Sequence, residues 1–183
     1  NMLFSTPNIS DYISGVILFE ETLKQSNNDG ILFPDYLTSL GIIPGIKVDK
    51  GAQNLAGSNG EKITEGLDGL RDRLIEYYSL GARFAKWRAV INIGSNEPSS
   101  YAINVNAHAL ARYSALCQES QIVPIVEPEI LMDGDHTLER CYEVTSNVLD
   151  NVFEELNKQM VVLSGIILKP NMVISGSDAN DRA

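Results

Sequence analysis

Six charged residues stand inside or directly after short apolar runs: Lys47 in PGIKV (44–48), Lys86 and Arg88 in RFAKWRAVI (83–91), Glu127 in IVPIVEP (122–128) with Glu129 just beyond, and Lys169 in GIILKP (165–170). A charge inside a buried strand costs several kcal/mol unless it is paired. Lys169 alone reads as a strand end reaching into water. Four insertions at the same end of successive runs point instead to a polar site. Residues i and i+2 share one face of a strand, so Lys86 with Arg88, and Glu127 with Glu129, each project together, as do Lys47 and Asp49. The chemistry open to such a set is specific. Crowded lysines disfavour one another's charged forms, which is the condition for an amine to attack a carbonyl. Carboxylates beside them can carry protons. The cations suit an anionic ligand such as a sugar phosphate. The other reading of the same spacing is a lattice of Lys–Glu ion pairs closing the end of a barrel.

The elements that must position these groups are legible as alternating runs. With SGVILF (14–19), the apolar stretches number five and begin about 30 to 43 residues apart. They are short and rich in Val and Ile, as buried parallel strands are. The intervals leave room for a loop and a crossover helix. In EKITEGLDGLRDRLIEYYSLG (61–81), Ile63, Leu67, Leu70, Leu74 and Tyr78 fall on one helical face and Gly81 stands as the stop. In residues 96–120, Asn96 is the expected cap, with Pro98 in the first turn and Ile103, Ala107, Leu110 and Cys117 on the buried side. In residues 134–159, Asp135 is the expected cap and Leu138, Cys141, Val144, Val148, Val152 and Leu156 form the stripe. FPDYLTSLG (33–41) predicts a brief helix ended by Gly41. Alternating strand and helix make an α/β fold with a parallel sheet, and ligands of such folds bind at the carboxyl ends of the strands. The sequence predicts a single domain over 1–183 whose about five βα units are too few to close an eight-stranded barrel, so they form either a five-stranded open sheet or an incomplete barrel, the middle of a larger one. Lys169 is then the end of a buried strand, its amine partly desolvated.

Composition removes several classes. The 183 residues carry a formal net charge of −10, which repels nucleic acid and anionic membranes. No apolar run approaches the roughly 20 residues that span a bilayer, and the opening NMLFSTPNISDY lacks the marks of a signal peptide. Two cysteines, Cys117 and Cys141, sit in helical segments and no CxxC pair occurs, so a reducing cytoplasm is expected. His108 and His136 are in no metal-ligand spacing, and His108 reads as a helix-surface residue. The glycine-rich GAQNLAGSNGEKITEGLDG (51–69) holds neither GxGxxG nor a P-loop, and is expected to be a flexible loop leading into a helix near Glu61.

Taken together, GIKVDKG (45–51), FAKWR (84–88), VPIVEPEIL (123–131) and LKPNMV (168–173) resemble the class I fructose-bisphosphate aldolases. GVILFEETL (15–23), GLDGL (66–70) and ARYSALCQ (111–118) extend the resemblance along nearly the whole chain. It implies a (β/α)8 TIM barrel that cleaves fructose 1,6-bisphosphate reversibly to dihydroxyacetone phosphate and glyceraldehyde 3-phosphate. No metal or cofactor is implied. It assigns Schiff-base formation to Lys169, proton transfer to Glu127, and control of the lysines' charge to Glu129. Lys86 and Arg88 are implied to assist carbon–carbon cleavage and hold phosphate, and Lys47 to contact substrate. Phosphorylated ketoses and trioses are the implied partners, and the family is often tetrameric, which implies a homo-oligomer. Against the family pattern the chain is expected to carry only the second through sixth strands, without the first-strand aspartate, the last two strands or the C-terminal tail. Sheet edges are then left unpaired. Two other readings are a catalytically silent aldolase-fold interaction protein and a transaldolase-like Schiff-base enzyme; the FAKWR and VPIVEPEI stretches do not favour the second.

Overall fold

The computed structural model describes residues 3–180. Its elements in chain order are β1 (Gly15–Leu18), α1 (Glu20–Leu23), α2 (Phe33–Ser39), β2 (Ile43–Lys47), β3 (Ala52–Asn54), β4 (Lys62–Thr64), α3 (Leu70–Ser79), β5 (Phe84–Ile91), α4 (Ser100–Glu119), β6 (Val123–Ile130), α5 (Leu138–Lys158) and β7 (Ile167–Leu168). Strands β1, β2, β5, β6 and β7 form one parallel sheet in that order. Each crossover therefore steps to the next strand in the same direction, without the reversal that marks a doubly wound sheet. The sheet is an arc of a TIM barrel, with β1 and β7 at its two edges.

Helices cover one face of this arc. Along β5 the burial alternates strictly, with Ala85, Trp87, Ala89 and Ile91 buried and Phe84, Lys86, Arg88 and Val90 on the other side. Trp87 stacks on Tyr113 of α4 with ring centroids 5.5 Å apart. The Tyr113 hydroxyl donates to the carbonyls of Ala85 (2.7 Å) and Ile125 (3.3 Å), tying α4 to β5 and β6. Leu110 of α4, Leu74 and Tyr77 of α3 and Val144, Val148 and Val152 of α5 complete the core. On the open face Phe84 lies across two glycines. A Cβ on Gly45 would stand 2.3 Å from its ring, so that position admits glycine alone without moving Phe84.

The helices end as expected at Gly41 and Gly81, both at positive φ (79° and 100°). Three starts differ. The helix expected from Glu61 begins only at Leu70, because residues 52–54 and 62–64 pair as an antiparallel hairpin and Gly66 and Gly69 take positive φ. Its buried side is Leu70, Leu74 and Tyr77, while Ile63 belongs to the hairpin and Tyr78 is only partly buried, under the Arg83 guanidinium. The expected loop at 51–69 is thus in good part a hairpin. Helix α4 is capped by Ser99, whose hydroxyl accepts from Ala102 N, and Asn96 and Pro98 precede it. Helix α5 is capped by Thr137 rather than Asp135, and Leu138 is exposed while the rest of its stripe is buried. No helix among the described residues is long and apolar enough to cross a membrane.

Candidate active site

The period of two puts every predicted site residue on the helix-free face of the sheet. Register then sets their heights. Lys47, the last residue of β2, is level with Lys86 of β5. One layer nearer the carboxyl ends, Arg88 is level with Glu127 of β6. Lys169 N donates to Val126 O at 2.9 Å, which brings Lys169 level with Glu127 on its other side. Six residues scattered over more than a hundred positions of sequence form one cluster at the carboxyl ends of four strands.

Glu127 is its centre. Its carboxylate is 2% exposed, with Oε1 2.5 Å from Lys169 Nζ and Oε2 2.9 Å from Lys86 Nζ. The Lys169 contact is a hydrogen bond, whereas Lys86 approaches as an ion pair off the hydrogen-bond line. Arg88 Nε donates to Glu129 Oε2, and this bond raises the Arg88 pKa above its ordinary value, partly opposed by burial. Lys47 Nζ lies 2.5 Å from Asp49 Oδ1. Four cations thus face three carboxylates, so the site is far less basic than the lysines and arginine alone imply, though it still differs in sign from a chain of net charge −10.

The Lys169 side chain is 56% exposed, and its amine is paired with the buried Glu127 carboxylate. The strand that carries it is only Ile167–Leu168, preceded by a 3-10 turn at Leu163–Gly165, and it lies at the sheet edge.

Sequence reasoning placed Asp49 on the Lys47 face but gave it no role. Asp49 is 3% exposed, accepts from Gly51 N (3.1 Å) as well as from Lys47, and holds the turn after β2. The hairpin was also missed as a support. Thr64 Oγ1 donates to Arg88 O (2.7 Å), and Asn106 on α4 takes Thr64 N and donates to Lys62 O. Glu61 accepts from Ser99 N (2.7 Å) and Ser99 Oγ (2.6 Å), which places a carboxylate at the amino end of α4, where the helix dipole favours it. The one local signal for these contacts was a run of Thr, Asn and Glu among glycines. His108 lies on the helix surface against Glu155, as expected, beside a cleft between α4 and α5 away from the cluster.

The family model for fructose-bisphosphate aldolase class-I matches residues 1–183. A probable fructose-bisphosphate aldolase class 1 of Xanthomonas axonopodis pv. citri (strain 306) is 63% identical over 182 residues, covering 100% of this chain and 54% of the relative. The cytosolic fructose-bisphosphate aldolase 4 of Arabidopsis thaliana is 57% identical over 181 residues, 99% of this chain and 46% of its own. Among solved structures, fructose-bisphosphate aldolase from Plasmodium falciparum, crystallised with TRAP and a small molecule inhibitor, superposes with a TM-score of 0.95 at 49% identity, over 98% of this chain and 52% of that one. The chain spans about half the length of the curated relatives it matches. With a family model matching residues 1–183 and relatives 57% and 63% identical along its length, the chain belongs to the class-I fructose-bisphosphate aldolases.

Proposed function

We propose that the protein is a lyase of glycolysis and gluconeogenesis. It cleaves fructose 1,6-bisphosphate reversibly to dihydroxyacetone phosphate and glyceraldehyde 3-phosphate through an imine on Lys169. The observation that carries this reading is one carboxylate between two amines: Glu127 with Lys169 at 2.5 Å and Lys86 at 2.9 Å. Free Lys169 Nζ adds to the ketose carbonyl at C2, and loss of water leaves a protonated imine. The C3–C4 bond then breaks and its electron pair flows to the imine nitrogen, giving an enamine. The C4 hydroxyl proton passes to Glu127 and C4 leaves as the aldehyde. Returning a proton to C3 and adding water to the imine frees dihydroxyacetone phosphate and restores Lys169. Because the imine is the electron sink, the scheme runs without a metal.

Lys86 lies on the side of Glu127 away from Lys169, where it can orient the carboxylate and stabilise charge on the C4 oxygen. Glu129, bound to Arg88, sets the charge around the amines. Arg88 and Lys47 hold phosphate, the arginine through its planar guanidinium. A homo-oligomer, of four subunits as is common in the family, belongs to the same proposal. So does a cytoplasmic site of action, supported by the cytosolic Arabidopsis relatives.

The test is to incubate the intact protein with dihydroxyacetone phosphate, reduce with borohydride and map the adduct by mass spectrometry. A stable adduct on Lys169 is expected. A folded protein with no adduct there would overturn the lyase reading and leave a silent aldolase-fold scaffold.

A further inference from the structure

The ladder between β6 and β7 stops at Lys169. Lys169 N makes the last ladder bond, to Val126 O, and Pro170 has no N–H to continue it. The next residue continues the attachment with its side chain. Asn171 Nδ2 donates to Thr145 Oγ1 on α5 at 3.1 Å and to Met172 O at 3.0 Å, and its Oδ1 faces Ile130 N of β6 at 3.5 Å, the weakest of the three. Thr145 is 6% exposed and stands beside the apolar stripe of Cys141, Val144 and Val148. One turn earlier, Cys141 Sγ lies 4.0 Å from both Thr145 Oγ1 and Met172 O. A buried hydroxyl beside apolar neighbours needs a partner, and Asn171 supplies it. Further along, Gly176 N, Ser177 N and Asp178 N donate to His136, Met132 and Gly134 carbonyls at 2.7 to 2.8 Å, so the chain is held at both ends of this stretch.

Lys169 itself stands on a two-residue strand, held through its backbone N–H to Val126 O and through its amine to Glu127. A lysine stem is flexible, so where its amine dwells depends on where its backbone is fixed. On the reading of Lys169 as the imine-forming residue, on which this rests, we infer that Asn171 and Thr145 are positioning residues. They clamp the segment after Pro170 to α5 and so keep the amine on the Glu127 carboxylate.

The test uses Thr145→Val, Thr145→Ser and Asn171→Ala in the intact protein, with steady-state kinetics, borohydride trapping and hydrogen exchange read by peptide. Valine keeps the shape of threonine and removes the hydroxyl; serine keeps the hydroxyl. Misplacement by about 1 Å can cost about 100-fold. T145V and N171A are therefore expected to lower kcat by about 10- to 100-fold with KM near its original value, because Lys47 and Arg88 stand on other strands. T145S should keep most of the rate. The peptide over 167–174 should exchange faster in T145V while peptides of α4 and β5 do not. Unchanged kcat and exchange in T145V overturn the inference, as does a T145S variant no better than T145V. Loss of protection across the whole molecule would also overturn it, since it marks a packing role alone. If the unsubstituted protein gives no adduct on Lys169, the lyase reading fails, and the exchange data still decide whether these two residues hold the segment.

Discussion

Lys169 Nζ and Glu127 Oε1 meet at 2.5 Å, although the first belongs to an open edge strand and the second is almost fully buried. The pair joins a half-exposed lysine to a buried carboxylate. That asymmetry suits a two-part task in which the amine holds the carbon skeleton and the carboxylate moves protons. Glu127→Gln separates the two. The amide keeps the shape and a hydrogen-bond acceptor but cannot take the C4 proton. General base catalysis contributes about 100- to 10,000-fold, and kcat for bisphosphate cleavage should fall by that order. Borohydride should still trap dihydroxyacetone phosphate on Lys169. Coupled assay of cleavage beside trapping yields checks both; turnover near that of the unsubstituted protein would move proton transfer to another group.

Arg88 invites a different measurement. Its guanidinium is bound to Glu129 and keeps donors free on an exposed flank of the site. A phosphate there gains a hydrogen bond to a charged group, of about 1.5 to 3 kcal/mol. Arg88→Ala should raise KM for the ketose bisphosphate by about 10- to 100-fold, with a smaller effect on kcat. The preference for a two-phosphate over a one-phosphate ketose should narrow in the same proportion. Parallel kinetics on the two substrates decide it. An equal loss on both would assign Arg88 to the phosphate the two substrates share or to the reacting carbon atoms instead.

The parts of this site that were legible in the sequence follow from a period of two and from strand direction. Lys86 with Arg88, and Glu127 with Glu129, had to share a face, and parallel strands had to bring their carboxyl ends together. What escaped were contacts set by long-range partners. Nothing near Thr145 signals that a side chain 26 residues away completes its hydroxyl. The hairpin at 52–64 has three-residue strands, too short for a periodic signal, and it stays in place through Asn106 and Thr64 rather than its own apolar face. Ile63 and Leu67 share the spacing of Leu70 and Leu74 by coincidence. The caps show the limit of local rules in another way. Asn96 and Ser99, and likewise Asp135 and Thr137, are both able to cap. The choice falls to whichever oxygen reaches the third N–H of the helix, and Glu61 biases the first case by taking Ser99 N.

The buried core sets how stability responds to alkaline pH. Burial pushes the Cys117 thiol far above the usual value near 9.0, and burial likewise pushes the Tyr113 and Tyr77 phenols above 10.0. Tyr113 is further committed as a donor to two strand carbonyls. In the unfolded chain these groups release protons near their ordinary values, while the fold holds them. Above about pH 9 the unfolded state therefore binds fewer protons than the native one, and stability must fall as pH rises. The contribution of each group is fully present below its unfolded value and is lost above it. For Cys117 alone the loss reaches about 2 kcal/mol by about pH 10.5. Urea midpoints of the intact protein, taken from about pH 8 to 10.5, should decline along this range. In Cys117→Ala the curve should start lower, from the lost packing, and run flatter between about pH 8.5 and 9.5, where the unfolded thiol titrates ahead of the phenols. A midpoint level across the whole range would mean that the buried thiol and phenols release their protons inside the fold.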